Sequence, residues 1–262
     1  MREMAAGLNS ISAYGLCGVT GFLLGIGYLF LMTRAKSESF GDLVYVYVWA
    51  AFGAIAGAKL LYIFIEIPNI LRNAADTESD FRLYLRGMIS GGFVFYGGLL
   101  GAAFAVKMLS RYFALDSAKT LSLLTPAMPL AHALGRVGCA LVGCCYGRET
   151  RLPIGICYTD SLYAPNGIFL IPVQAMEALA DLAIFGVLVF RLLKKKDGYE
   201  ASGVFELYLA MYAGVRFLLE FLRGDSVRGH LGWFSTSQWI SLLLLLWILI
   251  SKIAKRKKAE RK

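Results

Sequence analysis

Charge is scarce in this chain. Asp, Glu, Lys and Arg make up 17% of its 262 residues, and the nineteen from Tyr14 to Met32 include none of them. With 58% hydrophobic residues and a mean hydropathy of +0.60, this excludes a large soluble domain and predicts a polytopic membrane protein. Acidic residues are the rarer sign, 18 against 27 basic ones. The basic surplus gathers in short loops and a tail, as it does beside anionic membrane surfaces, so the charge predicts a membrane partner and no nucleic acid. Five cysteines are an odd number and exclude a complete set of internal disulfides. Cys139-x4-Cys144-Cys145 lacks the paired Cys-x2-4-Cys pattern of structural zinc sites, so no metal and no cofactor is expected. Cys17 and Cys157 read as small inert thiols, whereas Cys139, Cys144 and Cys145 stand close enough to Arg136 for their thiolates to be favoured. A small-residue cleavage site is missing before the first apolar run, which predicts an uncleaved first span.

What is present in quantity is apolar sequence at membrane length. A hydrocarbon core of about 30 Å needs roughly 20 helical residues. Spans are predicted near 14–32, 43–67, 88–106, 121–140, 169–190, 204–222 and 233–250, making an all-α, seven-span protein with one transmembrane domain over 1–262. The polar stretch 68–87 reads as an amphipathic arm on the membrane surface, and 252–262 as a basic tail. The fourth span holds Pro126 and Pro129 and is read as broken. Irregular backbone at membrane depth must be buried in protein or line a cavity, so Gly135-Arg136 is expected on such backbone, facing an internal chamber. Most loop Lys and Arg fall on the side of the C-terminus, which predicts a cytoplasmic C-terminus and an outside N-terminus.

Ionisable residues inside lipid are costly, so each needs a partner or a task. Arg136 lies in His132-Ala-Leu-Gly-Arg-Val-Gly-Cys-Ala-Leu-Val-Gly-Cys-Cys-Tyr-Gly147. Glu177 and Asp181 share one face of span five, and Tyr212, Arg216, Glu220 and Arg223 form a polar stripe on span six. Two guanidinium groups offer planar donor forks that match phosphate, which suits a phospholipid head group in a chamber. The plainer reading is internal pairing, Arg216 with Glu220 and Arg136 with Glu177 or Asp181. In span three, two glycine pairs flank the Phe-Val-Phe-Tyr96 segment and suit either close helix contact or backbone approach to a ligand. His132 reads as a packed or hydrogen-bonded histidine, and His230 as an outer-loop residue.

These motifs, in this order, resemble the prolipoprotein diacylglyceryl transferases of bacterial membranes nearly end to end. Ser12-Ala-Tyr14-Gly15 resembles the family's early aromatic-Tyr-Gly, and Gly91-Gly-Phe-Val-Phe-Tyr96-Gly-Gly-Leu its third-span motif. Gly135-Arg136-Val-Gly138 through Gly147 is similar to its signature, Pro172-Val-Gln174 with Glu177 to its Pro-x-Gln-x-x-Glu, and Tyr212 to Glu220 to its sixth-span Tyr and Arg. The resemblance implies transfer of the diacylglyceryl group of phosphatidylglycerol to the lipobox cysteine of a prolipoprotein signal-peptide segment, at the bacterial plasma membrane. It implies catalytic roles for Arg136, Arg216 and Tyr96, with Arg136 also holding the lipid phosphate. Tyr14, Tyr212, Gly98, Gly135, Gly147, Gln174 and Glu220 would form the substrate site. The signature departs at Cys139, Val142 and Cys144, where the family usually has Asn, Asn and Glu. Two other readings therefore stand beside the transferase: a relative with the same lipid pocket and another acceptor, or a phospholipid-binding or transport protein without chemistry.

Overall fold

A computed structural model describes residues 2–73, 94–194, 202–225 and 230–260. The helices are α1 (Arg2–Lys36), α2 (Phe40–Asn73), α3 (Phe95–Tyr112), α4 (Ser117–Leu124), α5 (Ala127–Val142), α6 (Val173–Lys194), α7 (Ser202–Glu220) and α8 (Thr236–Glu260). Two short antiparallel ribbons accompany them, β1 (Ile156–Cys157) with β2 (Phe169–Leu170) and β3 (His230–Leu231) with β4 (Phe234–Ser235). Three stretches, Ala13–Lys36, Phe40–Pro68 and Thr236–Ala254, are long and apolar enough to cross a membrane on length and composition alone. Of the remaining long helices, α6 buries Gln174, Glu177 and Asp181 and α7 buries Arg216. The predicted arm from residue 74 onward and the first residues of the third span lie outside the described residues.

The chain forms two compact units, one of residues 37–121 and one of residues 1–36 with 122–262. In the first, α2 and α3 lie against each other through glycine. Side chains at Gly53, Gly57, Gly97 or Gly101 would collide with the facing helix, where Gly57 meets Gly97 and Gly101 meets Gly53. Such small-residue contact lets backbones approach where no hydrophobic force separates helix from lipid. Gly98 belongs to the same face, since a Cβ there would sit 3.2 Å from the Ala54 carbonyl oxygen. Ahead of α4, Asp116 caps the helix by accepting the Ala118 and Lys119 N–H groups at 2.9 and 3.2 Å.

In the second unit α5 is the central helix, with α1 on one side and α6 on another. Gly21 and Gly138 make the α1 contact possible: added Cβ atoms would lie 3.0 Å from the Ala131 oxygen and from Tyr14 Cδ2. The break before α5 falls at Thr125-Pro126, where proline removes a backbone donor and ends α4. Gly135 and Arg136, expected on irregular backbone, are instead regular helix. The irregularity comes about two turns later, at Gly143, whose φ of +84° ends α5 in the left-handed conformation. The last α5 carbonyls are then satisfied by Gly143 N–H to Cys139 (2.9 Å), Tyr158 O–H to Ala140 (2.9 Å) and Ser161 O–H to Val142 (3.0 Å).

Candidate active site

Helices α5, α6 and α7 each contribute ionisable groups to one buried cluster in the second unit. Glu177 on α6 is the hub: its Oε1 lies 2.9 Å from Arg136 Nη2 and its Oε2 lies 3.8 Å from Arg216 Nη1. Arg216 also contacts Glu220, one turn along α7, at 2.5 Å. Glu177 is 1% exposed and Arg216 3%, so these are interior charges, and an unpaired one would cost several kcal/mol. The internal pairing read from the sequence is thus present. The sequence, however, paired each arginine separately, whereas a single carboxylate lies beside both guanidinium groups. Arg136 Nε is buried without a hydrogen bond of good geometry among the described residues, which leaves donor capacity there.

A second buried polar contact adjoins the first. His132, one turn before Arg136 on α5, places Nδ1 2.8 Å from Asp181 Oδ2, and Asp181 is fully buried on α6. The His132 ring meets the Tyr212 ring edge-on at 5.5 Å, and Tyr212 stacks on Tyr208. His132 and Asp181 were legible as polar groups at membrane depth, but their pairing crosses two helices and has no signature in linear spacing.

The loop after α5 is clamped to the cluster's rim. Gly147 N–H donates to the Ile171 oxygen at 3.1 Å, Arg148 N–H to Leu222 at 2.9 Å and Gly224 N–H to Tyr146 at 3.1 Å. No side chain fits at Gly147, where a Cβ would collide with Ile171 and Val173. Buried Gln174 donates its Nε2 to the Cys144 carbonyl at 2.8 Å, so it positions this loop. Arg223, read only as the end of the α7 stripe, grips Asp225 with two bonds of 2.8 and 2.6 Å. Hydrogen bonds from Cys139 and Cys144 hold the Cys145 thiol below the ordinary thiol range, with the Arg223 and Arg136 charges adding to them.

Of the residues expected at the site, Arg136, Arg216, Glu220 and Tyr212 come together around Glu177. Tyr14 is placed on α1 next to Gly138, two residues past Arg136. Beside Gly135 the space is open, with nothing within 4 Å of an added Cβ. Gln174 and Gly147 hold the adjoining loop. Tyr96 and Gly98 belong to α3 in the other unit, where Gly98 packs against α2.

A helical membrane protein with a buried two-arginine, two-glutamate cluster beside a clamped loop is the class that the fold and these side chains define. The comparisons with known proteins make it specific. A family model described as prolipoprotein diacylglyceryl transferase matches residues 4–253, and the chain belongs to that family. The phosphatidylglycerol–prolipoprotein diacylglyceryl transferase of Clostridium tetani is 36% identical to it over 239 residues, 90% of this chain and 90% of the relative. The transferase numbered 2 of Clostridium perfringens is 32% identical over 86% of each chain. That of Finegoldia magna is 29% identical over 93% of this chain and 91% of its own.

Proposed function

We propose that this chain transfers the diacylglyceryl group of phosphatidylglycerol to the lipobox cysteine thiol of prolipoproteins. Membership of the family over nearly the whole chain supports the reaction. The observation that carries the residue roles is Glu177 between Arg136 and Arg216.

In this reaction a sulfur–carbon bond forms at a glycerol carbon and the carbon–oxygen bond to phosphate breaks. The electron pair leaves with the phosphate, which departs as glycerol phosphate carrying one more negative charge. Fixed cations in a water-poor site stabilise that charge without reorganising at the moment of reaction. Arg136 holds the lipid phosphate and Arg216 meets the growing charge on the leaving group. Glu177 keeps the two guanidinium groups near each other before the lipid arrives, offsetting their repulsion. Glu220 orients Arg216, Tyr14 and Tyr212 line the lipid site, and open Gly135 admits the head group beside Arg136.

The acceptor thiol must also lose its proton. Family resemblance places Tyr96 among the catalytic residues without assigning it that task, while the His132–Asp181 contact of 2.8 Å provides an oriented imidazole in the arginine cluster. Tyr96→Phe and His132→Gln compared across pH decide between them: the base is the residue whose loss removes the acidic limb of the rate profile. The outside N-terminus and cytoplasmic C-terminus rest on the loop charges, and reporter fusions at the C-terminus test them.

The roles of the arginines are tested by measuring lipid binding and glycerol phosphate release side by side. Arg216→Ala is expected to stop release while retaining most lipid binding, and Arg136→Ala to lose both. Equal loss of binding in both variants, with residual turnover in Arg216→Ala, contradicts the division of labour.

A further inference from the structure

Three of the five thiols converge at a point that the linear spacing hides. The sulfurs of Cys139, Cys144 and Cys145 all lie within 4.8 Å of one another, although the first belongs to α5 and the others to the loop beyond its end. Two left-handed residues produce this: Gly143 at φ +84° and Cys145 at φ +58° fold the chain back on the last turn of α5. For cysteine the left-handed conformation is uncommon and unfavourable, and it persists where the surroundings hold it. They do so here, through the Gln174 bond to the Cys144 carbonyl and the clamp on Gly147. Cys139 is buried, the other two are half-buried, and all three are free thiols.

We propose that Cys139, Cys144 and Cys145 form a three-sulfur site for a soft, thiophilic metal ion, with Cu(I) the ion that fits it best. Thiolate ligands select soft ions such as Cu(I), as well as zinc. Structural zinc almost always takes four ligands, and among the described residues no carboxylate or imidazole joins this group of three. Three sulfurs at one point satisfy an ion content with threefold coordination. On binding, the thiols give up their protons and three metal–sulfur bonds form, with no change in oxidation state. The proposal departs from the expectation of no metal drawn from the spacing, because the turn at Gly143 brings together sulfurs that the spacing keeps apart.

The experiment uses the full chain in detergent micelles, reduced and kept anaerobic, with Cu(I) as its chloride and the colorimetric chelator bicinchoninate as competitor. No lipid or acceptor peptide is added, so the outcome is independent of the transferase reading. The wild-type chain is expected to withdraw one equivalent of Cu(I) from the chelator. Cys139→Ser, Cys144→Ser and Cys145→Ser should each weaken that withdrawal at least tenfold, while Cys157→Ser leaves it unchanged. A second measurement needs only the wild-type chain: one equivalent of Cu(I) should protect these three cysteines, and not Cys17 or Cys157, from alkylation mapped by mass spectrometry. The proposal is overturned if the chelator keeps its copper, if protection falls on Cys17 or Cys157, or if the three serine variants compete as well as wild type. It is also overturned if two of the three cysteines in the isolated protein become alkylatable only after reductant, because the cluster is then a disulfide pair with a spare thiol.

Discussion

Glu177 is the side chain on which the interior charges depend. Glu177→Gln removes the negative charge beside both guanidinium groups. The buried arginines then lose the carboxylate that lies beside both, and breaking a buried pair typically costs about 3–5 kcal/mol. Thermal unfolding in detergent should show a clear fall in Tm for this variant and no comparable fall for Glu149→Gln in the loop. Arg216→Lys keeps the charge but loses the planar fork. If the fork orients the departing phosphate, this variant should lose turnover by roughly the 10²–10³-fold typical of deleting one transition-state donor. Activity within a few-fold of wild type would mean that charge alone suffices. Arg136 was visible in the sequence because a lone arginine in an apolar run demands an explanation. The Arg223–Asp225 grip and the His132–Asp181 contact were not visible, since each depends on side-chain directions that no periodicity encodes.

Between helices, the decisive residue is glycine. Gly57 and Gly101 each lie against the backbone of the facing helix, so Gly101→Leu should force α2 and α3 apart and lower stability, with overpacking costs of about 1–3 kcal/mol or more. Gly186→Leu, on a glycine with open space around it, should be nearly neutral in the same melt. Gly147→Ala strikes a loop held at both ends and is expected to reduce turnover more than it reduces Tm, because its clamp orders the rim of the arginine cluster. A kcat that is unchanged while Tm falls would assign Gly147 to stability alone. Most helices were legible because apolar runs of membrane length and basic flanks mark them. The fourth span was legible as broken from its prolines; the break falls at Pro126, whereas Pro129 sits in the first turn of α5. The place of the irregular backbone was misjudged: Gly135 carries no helix-breaking necessity, and Arg136 can be buried from a regular helix when Glu177 faces it. Span five begins at Val173, after a short strand, because Pro172 opens the helix and leaves Phe169 and Leu170 to pair with β1.

At the scale of the whole molecule, apolar surface and a basic C-terminal tail suit a membrane, and family membership gives that membrane protein its chemistry. The substituted signature, with Cys139, Val142 and Cys144 where the family usually carries Asn, Asn and Glu, is the feature that most directly challenges a transferase. The reaction asks for cations at the phosphate and a base at the thiol; in the proposed reading Arg136 and Arg216 are the cations and either Tyr96 or His132 is the base, with none of the three missing polar groups required. The direct test is to incubate the purified protein with phosphatidylglycerol and a lipobox peptide and to weigh the peptide by mass spectrometry. The account predicts a gain of one diacylglyceryl group on the peptide cysteine, resistant to hydroxylamine as a thioether must be, with glycerol phosphate released in equal amount. An unmodified peptide, with or without glycerol phosphate in solution, would contradict it.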